Sequence, residues 1–453
     1  MVQQQVAKKW GLILAAIFIM SIFTCLYIGR SLVWGLTGTL IIAIGILKSN
    51  GIAFKTSIQW ILEGILSIKA IYFIVFLIGV NVAMWISSGI VPALIFYGFE
   101  IVDKVYFLLF AYLMTAVVAF FLGTGLGTLS TVGVALFSLG ISIGMPSGIL
   151  VGALMSGAYV ADRLSPISAL VNFTLETVDV PFKQYFKQTA IVMVPAAILA
   201  GFVYYVLSLK YTSTISLREM AFYKNTILEN FKIAPFFFIV PIVVLWTSFR
   251  GIKSIKVLSI GITLSAFITI FIQGQNPIDV LKFMGFGFES ASSVPFIKSL
   301  EIGGAYAMIE VVFIIMAGIS MSTIFEKCGW IAPIISLVEE KSRNRISVLF
   351  NTGMLSTVLN ALTCDQTVGI LVPGKYLKTF FKKHGFESVN LAQMIANTGT
   401  SMAPLMPWNV NAIIVLAVTG VSALDYAPYA FLNWFSFPIA VAMTHLVFKR
   451  QQY

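Results

Sequence analysis

Charge is the scarcest commodity in this chain. Only 10% of its 453 residues are Asp, Glu, Lys or Arg, against about a quarter in an ordinary soluble domain. That excludes a water-soluble globular protein and leaves little sequence for a separate soluble domain. Histidine is nearly missing: His384 and His445 are the two present, and neither stands near a cysteine or carboxylate cluster, so a zinc site lacks ligands. Cys25, Cys328 and Cys364 fit no disulfide framework and no paired ligand spacing. No GxxxxGK[ST] phosphate loop occurs, which argues against ATP-driven transport by this chain alone, and no HExxH occurs, which argues against an intramembrane metalloprotease. The expectation is a protein with no cofactor, no enzymatic chemistry and no resident metal, transient sodium apart.

What is abundant is oil. Hydrophobic residues make up 59% of the chain and mean hydropathy is +0.96. At about 20 residues per crossing this fills about eleven to thirteen transmembrane helices, an all-α polytopic protein of the cytoplasmic membrane. The balance of 29 Lys and Arg against 18 Asp and Glu does not call for nucleic acid. The basic residues fall singly or in pairs between apolar runs (Lys8 and Lys9, Lys253 and Lys256, Arg343 and Arg345, Lys382 and Lys383), as in cytoplasmic loops facing anionic headgroups. Lys8 and Lys9 precede an apolar stretch with no small-residue cleavage site after it, which reads as a first transmembrane helix. The segment Ser57 to Ile68 suits the membrane interface. Surrounding lipid and a second copy of the chain complete the expected macromolecular surroundings.

The extended polar stretch 210–232 divides two similar hydrophobic halves, 1–209 and 233–453. Thr124-Gly125-Leu126-Gly127-Thr128 can be laid on Thr363-Cys364-Asp365-Gln366-Thr367, and Ser165-Pro166 on Ala403-Pro404, in the same order and at nearly the same interval. Inverted-topology repeats with broken helices are a common design of secondary transporters, and would require an odd number of crossings between paired positions.

Four segments place Gly, Pro and polar residues inside apolar runs, where irregular backbone is tolerated only if buried in protein or lining a cavity. They are 123–131 (GTGLGTLST), 157–172 (GAYVADRLSPISALVN), 362–373 (LTCDQTVGILVP) and 397–411 (NTGTSMAPLMPWNVN). The first supplies hydroxyl and carbonyl oxygens, ligands a hard cation prefers. Pro166, Pro404 and Pro407 interrupt helices. A broken helix leaves unpaired N–H groups at one new end and carbonyls at the other, so two opposed breaks make anion- and cation-binding poles in mid-membrane.

These stretches resemble a known family. AYVADRLSPIS is similar to the GAY-x-GD-[KR]-[ML]-SP-[LI]-S signature of the NhaC-type sodium/proton antiporter family. TCDQTVGILVPGKY is similar to its T-x-DQ…PG segment, TGTSMAPLMPWN to its SGT-x-TSPLIPWN segment, and GTGLGTLSTVG more loosely to its Gly/Thr-rich break. The resemblance implies a secondary transporter with inverted repeats and a site where the broken helices meet. Its relatives exchange sodium for protons or couple cations to organic acids or amino acids. The chain departs from the pattern at Ala169-Leu170-Val171, where an acid and two threonines are usual, and at Ala396-Asn397, where Glu-Asp is frequent. Those losses favour a larger or less charged substrate.

The expected ion and substrate ligands are Asp162, Asp365, Thr124, Thr128, Ser165, Asn172, Thr363, Gln366, Thr400 and Asn409. Asp162, Asp365 and Glu310 are the coupling candidates, since acids inside membrane spans are functional by default. Glu310, inside an apolar run, should face the bundle interior. Asp365 has a competing reading as a helix N-cap. Arg163 would point away from Asp162 in a helix and hold a carboxylate of a substrate or neighbour. Tyr159 and Trp408 adjoin breaks, where they would stack on a substrate or anchor the fold. The expected activity is cation-coupled antiport of sodium and protons by alternating access. The alternative is coupled uptake or exchange of a small organic solute, an amino acid or carboxylate.

Overall fold

The computed structural model describes residues 8–28, 30–98, 106–166, 168–211, 217–250, 252, 254–298, 300–330, 332–363 and 366–450. Asp365 and Cys364 lie outside the described residues. The described chain is helical from end to end. It opens with α1 (Lys8–Ile28), α2 (Leu32–Ser49), α3 (Phe54–Ser67), α4 (Lys69–Ser87) and α5 (Ile90–Gly98). A broken region follows: α6 (Phe107–Leu122), α7 (Gly125–Thr128), a π turn (Leu129–Gly133), α8 (Val134–Ser142), α9 (Ser147–Ala158), α10 (Ala161–Leu164), α11 (Ala169–Val178) and α12 (Phe182–Lys210). The polar stretch contributes α13 (Leu217–Asn230), which is packed rather than free: Thr226 and Ile227 are buried. Next come α14 (Ile239–Phe249), α15 (Ser254–Phe271), α16 (Pro277–Phe286), α17 (Pro295–Lys298), α18 (Met308–Lys327) and α19 (Ala332–Lys341). The second broken region comprises α20 (Arg345–Thr363), α21 (Gln366–Tyr376), α22 (Lys378–Lys383), α23 (Ser388–Asn397), α24 (Gly399–Met402), α25 (Val410–Thr419), α26 (Ala423–Tyr426) and α27 (Phe431–Arg450).

Among the described residues α2, α12, α18 and α20 are each long and apolar enough to cross a membrane alone, and three further pairs are bent by more than 40° at a break. One such pair joins α3 to α4, with α3 turning Ser57, Ile61 and Gly64 inward against α18. The exposed large apolar side chains, Leu12, Trp34 and Ile198 among them, belong on a surface bathed in lipid. The chain is an all-α polytopic membrane protein.

The two broken regions follow one order of elements. Each includes a four-residue helix, a proline-containing break, a ten-residue helix and then, directly or after a further short helix, a long helix interrupted by proline (Pro195 in α12, Pro438 in α27). The core does not divide at 210–232. Val171 and Leu175 of α11 share a cluster with α20, α21 and α23, while Ile413 and Val415 of α25 share one with α4, α8 and α9. Helix α11 of the first broken region packs chiefly on α21 and α23 of the second, whereas α25 packs chiefly on α18 and also touches α4, α7 and α8.

Candidate functional site

At the first break, Gly123 ends α6 in the left-handed region at φ +72 and Thr124 is extended at φ −150. A residue with a β-carbon is strained at Gly123's φ. Thr124 then caps α7, its Oγ1 accepting from Gly127 N–H at 3.4 Å. Thr128 Oγ1 donates to Thr124 O at 2.8 Å. The N–H of Gly125, first residue of α7, is donated to the Asp162 carboxylate. Gly125 is needed for that approach, because a β-carbon there would lie 3.1 Å from Asp162 Oδ2 and 3.3 Å from Ala158 O.

Asp162 is the second residue of α10 and is 8% exposed. Ser168 Oγ donates to its Oδ1 at 3.4 Å. Among the described residues no Lys or Arg nitrogen lies within 4.0 Å of it. Arg163, wholly buried, turns the other way as helical geometry requires. Its Nε donates to Tyr159 O at 2.9 Å and its Nη1 to Ser401 Oγ at 3.1 Å and to Ser436 Oγ. Nη2 has no hydrogen-bond partner. Tyr185 Oη donates to Arg163 O at 2.9 Å. Arg163 and Ser401 are each the third residue of a four-residue helix, α10 and α24, and the two helices meet through this contact. Tyr159, 0% exposed, has its ring beside Gly125 and its Oη unpaired, within electrostatic range of both Asp162 and Tyr426. Tyr426 in turn donates to Pro404 O at 2.5 Å.

The second break gathers the remaining candidates. Thr363 Oγ1 donates to Leu359 O at 2.7 Å. Gln366, first residue of α21, donates from Nε2 to Thr400 O at 2.9 Å, while Thr400 Oγ1 is buried without a partner. Asn409 caps α25, its Oδ1 accepting from Asn411 N–H at 3.1 Å and from Asn411 Nδ2 at 2.8 Å, with its own Nδ2 unpaired. Ser165 Oγ at the Pro166 break is likewise buried and unpaired. Buried polar groups without partners are uncommon in folded proteins; among the described residues they occur at the breaks and also elsewhere in the helices, at Asn81, Thr189 and Ser265 among others.

Two positions lie elsewhere than expected, and Trp408 takes one of its two readings. Glu310 does not face the bundle interior; it is exposed in the first turn of α18, where a carboxylate complements the positive end of the helix dipole. Asn172 is exposed and donates to Pro166 O at 3.0 Å and Ser168 O at 2.8 Å. It braces the turn that carries Ser168 toward Asp162. Trp408 anchors the fold, Nε1 donating to Ala361 O at 2.7 Å with Phe23 edge-on at 6.0 Å. Residues not singled out in the sequence enter the site: Ser168, Ser401, Asn433 and Ser436 around Arg163 and Asp162, and Ser356 and Asn360 on α20. A signal for the last two was legible, since N-T-G-M-L-S-T-V-L-N-A-L-T puts Thr352, Ser356, Asn360 and Thr363 on one helical face. Among the described residues no three His, Cys, Asp or Glu converge, so the donors on offer are hydroxyls, amides, carbonyls and the Asp162 carboxylate.

A family model described as the Na+/H+ antiporter family matches residues 157–446. The Na(+)/H(+) antiporter NhaC of Alkalihalophilus pseudofirmus is 27% identical over 369 residues, covering 80% of this chain and 79% of that protein. The malate-2H(+)/Na(+)-lactate antiporter of Bacillus subtilis is 26% identical over 395 residues, 86% of this chain and 84% of that one. The arginine/ornithine antiporter ArcD of Halobacterium salinarum is 25% identical over 383 residues, 82% and 77% of the two chains. The matched span takes in three of the four breaks, with the Gly/Thr-rich segment 123–131 N-terminal to it.

Proposed function

Because this chain belongs to the Na+/H+ antiporter family, an integral membrane family of cation-coupled antiporters, we propose that its exchange cycle turns on Asp162. The observation that carries this reading is the attitude of that carboxylate. It is buried, held on the N–H of Gly125 at the start of a broken helix, and left unpaired by the adjacent Arg163. A buried carboxylate without a contacting base is stabilised either by a proton or by a cation, and the two compete for it. Thr124, Thr128, Ser165, Thr363, Gln366, Thr400 and Asn409 surround the crossing with neutral oxygens and amides, and Asp365 is the acid contributed to the second break. The passages α6–α12 and α20–α27 belong, in this reading, to repeats of opposite orientation within 1–209 and 233–453, rocking about the centre to expose the site to each side in turn. The cargo is moved without being chemically converted.

The test is purified protein in liposomes carrying a pH-sensitive dye. Asp162→Asn keeps the shape and removes the titrating charge, and is expected to reduce sodium-driven proton movement to background while the protein still inserts and stays monodisperse. Wild-type exchange in that variant removes Asp162 from the mechanism.

One observation favours a second reading. Arg163 is permanently charged, has no contacting carboxylate among the described residues, and keeps Nη2 unpaired. A carboxylate-bearing solute would complete it, and proteins named for malate, lactate, arginine and ornithine are among the relatives. A dye signal that needs an organic solute as well as sodium selects this reading; a signal with sodium alone selects the first.

A further inference from the structure

Helix α20 carries a buried polar stripe that the reading above uses only at its end. Thr352, Ser356, Asn360 and Thr363 recur at helical spacing on one face, and each is 1% exposed or less. That face meets α21 and α24. Ser356 Oγ donates to Gly369 O at 2.6 Å and lies against Gly399, while Asn360 Oδ1 lies against Gly369. A β-carbon at Gly369 or Gly399 would collide with those two side chains, so the glycines are what admit them. Gln366 continues the chain of contacts to Thr400. Helix α6, which leads to the first break, carries one serine or threonine, Thr115, and it is satisfied within its own helix, its Oγ1 donating to Ala111 O at 2.6 Å.

Hydroxyl side chains in membrane helices commonly satisfy themselves on the carbonyl one turn back, as Thr363 does. Asn360 does nothing of the kind: both carboxamide atoms are buried without a partner among the described residues, as are Thr352 Oγ1 about two turns earlier on the same helix and Thr400 Oγ1 on the facing α24. A carboxamide stripped of all its hydrogen bonds weakens a fold unless something polar meets it. The groups on offer are oxygens without formal charge, the donor set that suits a hard monovalent cation after most of its water is removed.

We propose that Asn360 is a ligand of the transported cation, its Oδ1 and Thr400 Oγ1 forming an uncharged oxygen site at the second break that complements Asp162 at the first. The inference rests on the reading of the breaks as the exchange site. It assigns the second break a role independent of its acid.

Asn360→Leu distinguishes this from an accidental vacancy, because deleting an unsatisfied amide should leave the sodium-free protein equally or more stable. Purified Asn360→Leu and Asn360→Ala would be compared with wild type and Asp162→Asn by thermal shift across a sodium chloride titration, with choline chloride as control, and by dye-reported exchange. The expected result is an unchanged or raised melting temperature without sodium, loss of the sodium-induced rise, and a half-saturating sodium concentration up by about tenfold or more, the loss of one strong ligand. If Asn360→Leu fails to fold, Asn360→Ala, which adds no bulk near Gly369, decides. Wild-type sodium responses in the folded Asn360 variants overturn the inference and leave Asp162 standing if Asp162→Asn is silent. Loss of the response in the Asn360 variants with Asp162→Asn unaffected does the reverse.

Discussion

At the first break the side chain of Asp162 reaches the backbone of Gly125; at the second the side chain of Gln366 reaches the backbone of Thr400. In both, the second residue of a four-residue helix is the meeting point, Asp162 of α10 offering its side chain and Thr400 of α24 its main chain. In the first, glycine clears room for a carboxylate. In the second, glutamine fills the equivalent space and the threonine hydroxyl is left free. Corresponding geometry thus carries charge on one side and neutral oxygens on the other among the described residues, and the helix leading to the neutral side, α20, is the one with a polar stripe. On the proposed reading the two breaks divide the labour, one titrating and the other solvating.

The most severe test of that division moves the charge. Asp162→Thr with Thr400→Asp keeps the net charge and swaps the two positions; exchange in liposomes is expected to stay at background, because Gln366 occupies the space that Gly125 leaves open, and recovery would show that the breaks are interchangeable. Gly125→Ala keeps the acid but sets a methyl 3.1 Å from Asp162 Oδ2. A shift of that kind costs about 1–3 kcal/mol, and should raise half-saturating sodium by about tenfold with the acid still in place. Arg163→Lys retains the charge but cannot span Tyr159, Ser401 and Ser436 together, so its melting temperature should fall further than that of Ser401→Ala, where the hydroxyl's hydrogen bonds to Arg163 and Asn433 O, about 1 kcal/mol each, are lost. Equal falls would mean that the contact between α10 and α24 is the whole of Arg163's contribution.

The smallest effect lies far from the breaks and is a control on them. Ser290 N–H at 2.9 Å, aided by Lys298 Nζ at 3.0 Å, holds the loop carboxyl of Glu301 below the usual carboxylate range. A depressed pKa contributes stability above the unfolded value of about 4.3 that is lost as pH falls through the folded value. Under about 1 kcal/mol is at stake for so exposed a pair. Thermal melts at neutral pH and at pH near 3.5 should converge slightly in Glu301→Gln relative to wild type, with sodium exchange at neutral pH unaltered.

Much of this site was legible in the sequence. Gly123-Thr124 and Ser165-Pro166 break helices where the residue types require it, and Asp162 is conspicuous because a carboxylate in an apolar run needs a reason. Glu310 shows where that argument stops: the same logic sent it inward, but helix α18 begins only two residues earlier, and the start of a helix is a place where an acid is stabilised at the surface. Asn172 looked like a ligand because it stands in a polar break, yet side chains there also hold the break together. Arg163's direction followed from its helical neighbour relation to Asp162; its partners, Ser401 and Ser436, lie in the other half of the chain and no local pattern points to them.

Composition and hydropathy alone determined that this protein lives in a membrane as helices, since scarcity of charge and abundance of apolar residues act through the solvent and need no partner. Local chemistry determined where those helices break. Tertiary structure decided what the breaks mean, by packing α11 on α21 and α23 and bringing Arg163 against Ser401. Contacts of that kind depend on packing between segments far apart in sequence, and the free energy that selects them is a property of the assembled bundle.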